Sequence, residues 1–244
     1  MTDHKFAVVV PMANEENDFE PFINELASVL DSLGHGAVYL VVDNVSRDRT
    51  LEWCRALSDR DPRFVTVFAP ENRNVVDAYM RGFAEAYKAG HEYIIEMDAG
   101  MSHDPKVIPV FLEALERGYS CVFGSRFITG GSIIGAPFNR RVLSRGGTLI
   151  SNFLLGTRLS DMTSGFQGFH ADVVARVIRY ELLSTAHFYQ TELRYLLRNE
   201  KYTELPICYR TPSPRVSKGA VLNALKVLMH YFFLRITGKP AVLQ

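Results

Sequence analysis

The carboxylate of Asp98 stands at the end of a short apolar run that begins at Tyr93, and Ala99 and Gly100 follow it. This pattern predicts a buried strand that delivers an acidic side chain to its C-terminal edge, where open α/β sheets bind ligands. Taken alone, Asp98 could equally cap the next turn, because Asp is an ordinary cap and turn residue. The rest of the chain favours the ligand site.

Two earlier apolar runs also end in acidic residues. Residues 6–10 lead towards Glu15, and residues 37–42 lead into Asp43. Parallel strands carry their carboxyl ends to one edge of a sheet, so these tips should meet near Asp98. No Gly-x-Gly-x-x-Gly follows the first run and no Gly-Lys-Ser/Thr loop occurs, so neither a dinucleotide fingerprint nor a P-loop is supported. Whatever binds at this edge would use the carboxylates.

Three arginines, Arg140, Arg141 and Arg145, fall within six residues of one another. The whole chain has 27 basic and 27 acidic residues, so this cluster is a local concentration of positive charge. The guanidinium fork matches a phosphate group well, which makes the cluster a candidate phosphate cradle. A solvated basic helix face stays open as the alternative.

Strands that alternate with helices predict an α/β fold with a mostly parallel central sheet and helices on both faces. The expected strands are residues 6–10, 37–42, 64–68, 93–98 and 120–124, with a further edge strand at 204–210. Near the C-terminus, residues 220–237 have the pattern of an amphipathic helix, which could cover the core or lie in a bilayer interface.

The bulk composition narrows the class of protein. The chain has 244 residues, is 47% hydrophobic and carries no net charge, which fits a globular protein and gives no support to a nucleic-acid partner. Its three cysteines form no Cys-x-x-Cys pair, as expected in a reducing cytoplasm. The first residues lack the features of a signal peptide, and no uncharged apolar run reaches the roughly 18 residues of a spanning helix.

Taken in order, these pieces resemble the inverting GT-A glycosyltransferases of family 2 that make polyprenyl-phosphate sugars, such as the dolichol-phosphate mannosyltransferases. The stretches that carry the resemblance are Val9-Val10-Pro11 with Asn14-Glu15-Glu16, Val41-Val42-Asp43 with Ser46, Glu96-Met97-Asp98-Ala99 with Ser102-His103-Asp104-Pro105, Gly124-Ser125-Arg126-Phe127 with Gly130-Gly131, Arg141 to Gly146, and Asp161-Met162-Thr163-Ser164-Gly165-Phe166. The resemblance implies a GT-A catalytic domain over residues 1–216. Residues 217–244 would form a C-terminal amphipathic helix that acts at a membrane interface or as a lid.

The resemblance also implies roles for single residues. Those implied to surround the nucleotide sugar are Pro11, Asn14, Glu15, Asp43, Asp98, Ala99 and Lys218. Asp98 would also help to hold a divalent metal, Mg²⁺ or Mn²⁺, which offsets the charge developing on the leaving diphosphate. Arg126, Arg140 and Ser144 would bind the acceptor phosphate. The implied catalytic set is therefore Asp98, Arg126 and Arg140.

The activity implied by the resemblance is transfer of a hexose to the phosphate of a dolichyl or polyprenyl phosphate, with mannose from GDP-mannose as the first choice. A UDP-sugar donor, a non-lipid glycan acceptor and a non-catalytic nucleotide-sugar binder stay open as alternatives. A lipid acceptor requires work at a membrane surface, so we expect a peripheral protein on the cytoplasmic face of a membrane. An anchoring membrane subunit or a homo-oligomer stays open as a partner.

Two positions depart from the family pattern. The usual Asp-Ala-Asp centre has Gly100 in place of its second Asp, which removes a hard oxygen ligand from the expected metal site. The first expectation is that Asp98 holds the metal together with the donor diphosphate and water. The alternatives are that Glu96 or Asp104 compensates, or that the activity depends only weakly on a metal. Ala13 stands where many relatives carry an aromatic residue, which leaves the nucleobase open.

Overall fold

The computed structural model describes residues 5–135, 138–210 and 217–243, and for residues 139 and 140 the description covers the backbone. The strands are β1 Phe6–Met12, β2 Ala37–Val42, β3 Phe64–Phe68, β4 Tyr93–Glu96, β5 Cys121–Ser125, β6 Ser132–Ile134, β7 Gln167–His170, β8 Tyr202–Pro206 and β9 Cys208–Arg210. The helices are α1 Phe19–Leu33, α2 Thr50–Arg60, α3 Val75–Lys88, α4 Ile108–Glu116, α5 Phe138–Leu155, α6 Ala171–Val177, α7 Tyr189–Leu196 and α8 Lys218–Ile236, with a 3-10 turn at Pro105–Val107 before α4.

The main sheet has the strand order β3-β2-β1-β4-β7-β5-β8. Strands β1 to β4 are parallel to one another, and β8 is parallel to β5, whereas β7 runs antiparallel to both of its neighbours. The prediction of a mostly parallel sheet is therefore confirmed. Because β1, β2 and β4 are adjacent and parallel, the loops that follow them share one edge of the sheet.

Helices cover both faces of the sheet, as predicted. Successive residues of β1 point to opposite faces, so Val8 belongs to a core cluster with residues of α1, α2 and α4, while Val9 belongs to a cluster with residues of α3, α6, α7 and α8. The β1 segment Phe6–Val10 is fully buried because helices cover both of its faces. This explains why its sequence is continuously apolar rather than alternating.

Two features of the sheet differ from the sequence-based expectation. The strand expected at residues 204–210 divides after Pro206, and β9 pairs with β6 in a separate two-stranded sheet. Proline has no backbone N–H and is suited to the edge position that β8 occupies. The central strand β7 was not expected, because its four residues, including Gly168, give almost no local strand signal.

The C-terminal helix α8 covers the predicted segment. Ser217 caps it, with its Oγ accepting a hydrogen bond from the N–H of Ala220 at 3.1 Å. By length and composition alone α8 could span a membrane, with a mean hydropathy of 1.2. One stripe of it nevertheless packs on the domain, where the buried Tyr231 hydroxyl donates to the Glu192 carboxylate at 2.7 Å. The opposite side of α8 is exposed.

Candidate active site

Two loops at the carboxyl edge of the sheet are joined by the side chain of Asn14. Its Oδ1 accepts from the N–H of Arg47 at 2.9 Å, and its backbone N–H donates to Ser46 Oγ at 3.1 Å. Asn14 has a φ of 59°, a left-handed conformation that asparagine adopts more readily than most residues. Asn14 was predicted to contact the nucleotide. In the structure its side chain joins the two loops that border the site.

Asp48, in the loop after β2, also connects these two loops. It accepts hydrogen bonds from the backbone N–H of Glu16 at 3.0 Å, from Ser46 Oγ at 3.1 Å and from Thr50 Oγ1 at 2.6 Å. Burial acts to raise the pKa of Asp48, but hydrogen bonds from Thr50, Glu16 and Ser46 lower it to about 2. The sequence indicated only a helix start here, so this anchoring role was missed.

Glu15 lies in the loop that Asp48 anchors through the backbone of Glu16. Its backbone N–H donates to Thr50 Oγ1 at 2.9 Å. Burial, followed by the negative charges of Asp18, Asp48 and Asp98, raises the pKa of Glu15 to about 7. The acidic groups therefore repel one another, and a cation bound between them would be stabilised.

Asp98 follows β4, and two side chains fix its position. The hydroxyl of Tyr79 on α3 donates to Asp98 Oδ1 at 2.7 Å. The Asp98 N–H donates to Nδ1 of the buried His103 at 3.3 Å. On the other side, a Cβ at Gly165 would lie 3.1 Å from both Asp98 carboxylate oxygens, so a side chain there would crowd them. The Asp98 side chain keeps 29% exposure, which leaves it accessible to a ligand.

The remaining residues predicted to line the nucleotide site lie at the same edge. Asp43 is nearly buried, and its Oδ1 accepts from the N–H of Val45 at 2.9 Å. Pro11 pairs in register with Val41 of the neighbouring strand and is half-buried, as is Ala99. The structure therefore brings Pro11, Glu15, Asp43, Asp98 and Ala99 to one end of three adjacent strands.

Neither Glu96 nor Asp104 is free to replace the missing second Asp. Glu96 is fully buried, and its Oε1 accepts from Gln167 Nε2 at 2.7 Å and from the Tyr189 hydroxyl at 3.0 Å. Burial raises the pKa of Glu96 to about 8, although these hydrogen bonds oppose the shift. Asp104 forms an ion pair with Arg210 at 2.9 Å. Both alternatives are therefore disfavoured by the contacts these side chains already make.

Arg126 lies at the end of β5 in a buried ion pair. Its Nε and Nη2 donate to the two carboxylate oxygens of Asp161 at 2.7 and 2.8 Å, and its side chain is 8% exposed. Asp161 belongs to one of the family motifs, but its partner could not be predicted from the sequence. Within the described residues, no hydrogen bond is found at Nη1 of Arg126.

The remaining predicted residues belong to α5 and α8. Ser144, predicted to bind the acceptor phosphate, is half-buried on α5, and Lys218, predicted to bind the nucleotide sugar, is exposed in the first turn of α8. The side chain of Arg140 lies outside the described part of the chain. The guanidinium of Arg145 lies 5.2 Å from the ring centre of Phe127. These two side chains line a cleft of about 270 Å³ together with Thr148, Leu149 and Ser160.

The donor set suits a metal that a substrate helps to bind. The described residues contain no group of three or more His, Cys, Asp or Glu side chains arranged around one point. Two carboxylates, Glu15 and Asp98, do face the same edge. Mg²⁺ is commonly held by one or two carboxylates together with substrate phosphates and water, so these residues fit such an ion.

Comparison with known proteins places the chain in a family. The sequence profile of glycosyl transferase family 2 matches residues 7–178. An undecaprenyl-phosphate mannosyltransferase from Micrococcus luteus is 29% identical over 195 residues, covering 79% of each chain. A dolichol-phosphate mannosyltransferase from Pyrococcus furiosus is 29% identical over 232 residues. The match covers 94% of this chain and 63% of the length of that relative.

The fold is shared with solved structures of lower sequence identity. Glucosyl-3-phosphoglycerate synthase from Mycobacterium tuberculosis, in complex with Mn²⁺, UDP and phosphoglyceric acid, is 15% identical with a TM-score of 0.65. The similarity covers 99% of this chain and 80% of that chain. The same synthase has also been solved with Mg²⁺ and UDP. This similarity confirms the predicted GT-A fold.

Proposed function

The chain belongs to glycosyl transferase family 2, and we propose that it transfers a hexose from a nucleotide sugar to the phosphate of a polyprenyl lipid. The proposed donor is GDP-mannose, which accords with the mannosyltransferase names of two relatives. A UDP-sugar is the rival donor, since the solved fold neighbour binds UDP. The proposed location is the cytoplasmic face of a membrane.

One surface of the molecule carries the proposal of a lipid acceptor. Helices α5 and α8 pack against each other, and Nη1 of Arg235 on α8 donates to the backbone oxygen of Leu154 on α5 at 2.9 Å. The exposed large apolar side chains of the pair are Phe138, Val142, Leu143, Leu149, Ile150 and Phe153 on α5, and Val221, Leu222, Leu225, Met229, Phe233 and Ile236 on α8. We call this set the α5–α8 surface. Apolar surface of this extent is typical of protein or membrane contacts.

The charge around the α5–α8 surface favours a membrane. Neither helix contains an acidic residue, and the exposed basic residues on them include Arg141, Arg145, Lys226 and Arg235. Basic side chains beside inserted apolar ones are the combination that binds anionic lipid headgroups. The surface adjoins the Phe127–Arg145 cleft, and a lipid held in the bilayer could therefore present its phosphate there.

In the proposed reaction, an oxygen of the lipid phosphate attacks the anomeric carbon of the sugar from the side opposite the nucleoside diphosphate. The new carbon–oxygen bond forms as the bond to the diphosphate oxygen breaks, the bonding electrons leave with the diphosphate, and the anomeric configuration is inverted. The second ionisation of a phosphate monoester lies near pH 6, so the acceptor is already a nucleophile and needs no general base.

The protein contributes position and charge to this reaction. Asp98, oriented by Tyr79, lies beside the ribose and diphosphate of the donor. A divalent cation held there would neutralise charge on the departing diphosphate. Arg126, through its remaining Nη1 donors, acts with Arg140 and Ser144 on the acceptor phosphate. Lys218 closes over the donor diphosphate.

The test is a transfer assay with purified protein, radiolabelled GDP-mannose or UDP-glucose, and vesicles that contain a polyprenyl phosphate. We expect a labelled lipid from GDP-mannose and none from vesicles that contain the corresponding polyprenol. Labelled lipid from UDP-glucose alone would correct the donor. Transfer to a soluble glycan without any lipid phosphate would contradict the acceptor, and nucleotide binding without transfer would indicate a non-catalytic binder.

A further inference from the structure

Position 100 is the place where this chain lacks the second acidic residue of the family pattern, and the structure shows what lies beside it. Gly100 has a φ of 74°, in the left-handed region that favours glycine. A Cβ built there would lie 3.4 Å from Oε2 of Glu15. The Glu15 carboxylate thus lies next to the space that an acidic side chain at position 100 would occupy.

We propose that Glu15 supplies the hard oxygen ligand that Gly100 cannot supply, and that Glu15 and Asp98 together hold the divalent metal with the donor diphosphate. This inference rests on the proposed use of a nucleotide-sugar donor. It assigns to Glu15 a role different from the lining of the nucleotide pocket. In this chain the second carboxylate ligand of the metal would come from the loop after β1, whereas the family pattern has it in the loop after β4.

The contacts of Glu15 distinguish it from the other acidic residues of the site. Within the described ranges, neither a hydrogen-bond donor nor a cation contacts its carboxylate, whereas its backbone is anchored to Thr50. Asp48 already accepts several hydrogen bonds from its own loops, and Glu96 is fully buried among polar partners. Glu15 therefore has an anchored backbone, and within the described ranges its carboxylate oxygens are left available.

The local charge favours a cation at this point. Asp18, Asp48 and Asp98 all lie near enough to repel a negative charge on Glu15. A divalent ion would turn this repulsion into attraction for the carboxylates that touch it. Mg²⁺ and Mn²⁺ need further oxygens, which the diphosphate and water provide. We therefore expect tight metal binding only when the nucleotide is present.

The experiment measures binding rather than turnover, by calorimetric titration of GDP and of UDP with and without MnCl₂. For the parent protein we expect Mn²⁺ to increase the affinity for the nucleotide that binds. In Glu15→Gln that metal-dependent gain should fall by at least about tenfold, because a loss of this size follows even when a side chain that only supports a metal ligand is changed. Affinity measured without Mn²⁺ should not decrease, because the amide keeps the shape of the side chain and removes a negative charge near the diphosphate.

Two variants make the result specific. Glu16→Gln alters the adjacent carboxylate, whose Oε2 lies 3.5 Å from the N–H of Arg49, and should keep the full metal-dependent gain. The double change Glu15→Gln with Gly100→Asp returns an acidic side chain to position 100 and should recover part of the gain. Aspartate tolerates the left-handed backbone better than most residues do. Thermal unfolding of each variant reports whether it is folded.

The outcomes separate this inference from the proposed function. If Glu15→Gln keeps the metal-dependent gain, or if the parent binds nucleotide with no such gain, the role of Glu15 is refuted while the donor site stands. If the folded parent binds neither GDP nor UDP under any condition, the proposed donor fails and this inference fails with it. Loss of the gain in Glu15→Gln and its recovery in the double variant would support both.

Discussion

Replacing Glu96 by glutamine tests whether the buried polar network beneath the site holds a neutral carboxyl group. Glu96 is 0% exposed, and its Oε1 accepts from Gln167 and Tyr189, while its Oε2 makes no hydrogen bond within the described residues. Glutamine has the same shape as protonated glutamate and can accept both hydrogen bonds, but it does not titrate. Glu96→Gln therefore removes a proton-binding site and retains the packing.

The magnitude follows from the difference between the folded and unfolded pKa values. Burial raises the pKa of Glu96 from 4.5 to about 8. Between these values the folded protein holds a proton that the unfolded chain releases, so the stabilising contribution is complete below pH 4.5 and declines as the pH rises through 8. Linkage over the interval from pH 5 to pH 7 gives a decrease of about 2 kcal/mol in the free energy of unfolding.

The assay is urea-induced unfolding of the parent and of Glu96→Gln at pH 5, 6, 7 and 8, followed by circular dichroism. Other groups, Glu15 among them, titrate in the same range, so the quantity of interest is the difference between the two proteins at each pH. We expect Glu96→Gln to gain stability relative to the parent by about 2 kcal/mol from pH 5 to pH 7. A constant difference would refute the argument, because it would mean that Glu96 has the same charge in the folded and unfolded states.

Three further predictions follow from the site and its surroundings. Asp161→Asn leaves the buried Arg126 without its counter-charge, so we expect the free energy of unfolding, measured with urea, to fall by about 3 kcal/mol. An unchanged free energy of unfolding would contradict a stabilising role for this ion pair. Asp98→Ala should lower hexose transfer at least about a hundredfold with an unchanged circular dichroism spectrum, whereas near-parental transfer would remove Asp98 from the catalytic site. Phe153→Glu, at a side chain that is 81% exposed on the α5–α8 surface, should reduce sedimentation with anionic vesicles severalfold. The matched control Val110→Glu, at a residue 46% exposed on α4, should sediment like the parent, and equal losses in both variants would contradict a localised membrane surface.

The sequence by itself determined the strands β1 to β5 and the chemistry of their ends. Continuous apolar runs stopped by polar residues are local signals, and they predicted both the parallel core and the positions of Asp43 and Asp98 at one edge. The family motifs predicted the GT-A fold for the same reason, since most of them are short stretches next to a strand; the motif Arg141 to Gly146, which lies within α5, is an exception. Gly100 was recognised in the sequence as a departure from the metal-binding pattern.

Only the tertiary structure decided which side chains meet across that edge. Glu15 lies beside Gly100 because β1 and β4 are neighbours in the sheet, although 85 positions separate the two residues in the chain. The pairing of Arg126 with Asp161 and the burial of Glu96 against Gln167 depend on β7, whose antiparallel insertion has almost no local signal. Charge, hydrogen bonding and burial act through space, so the state of each carboxylate followed from the packing of distant segments rather than from its own sequence neighbours.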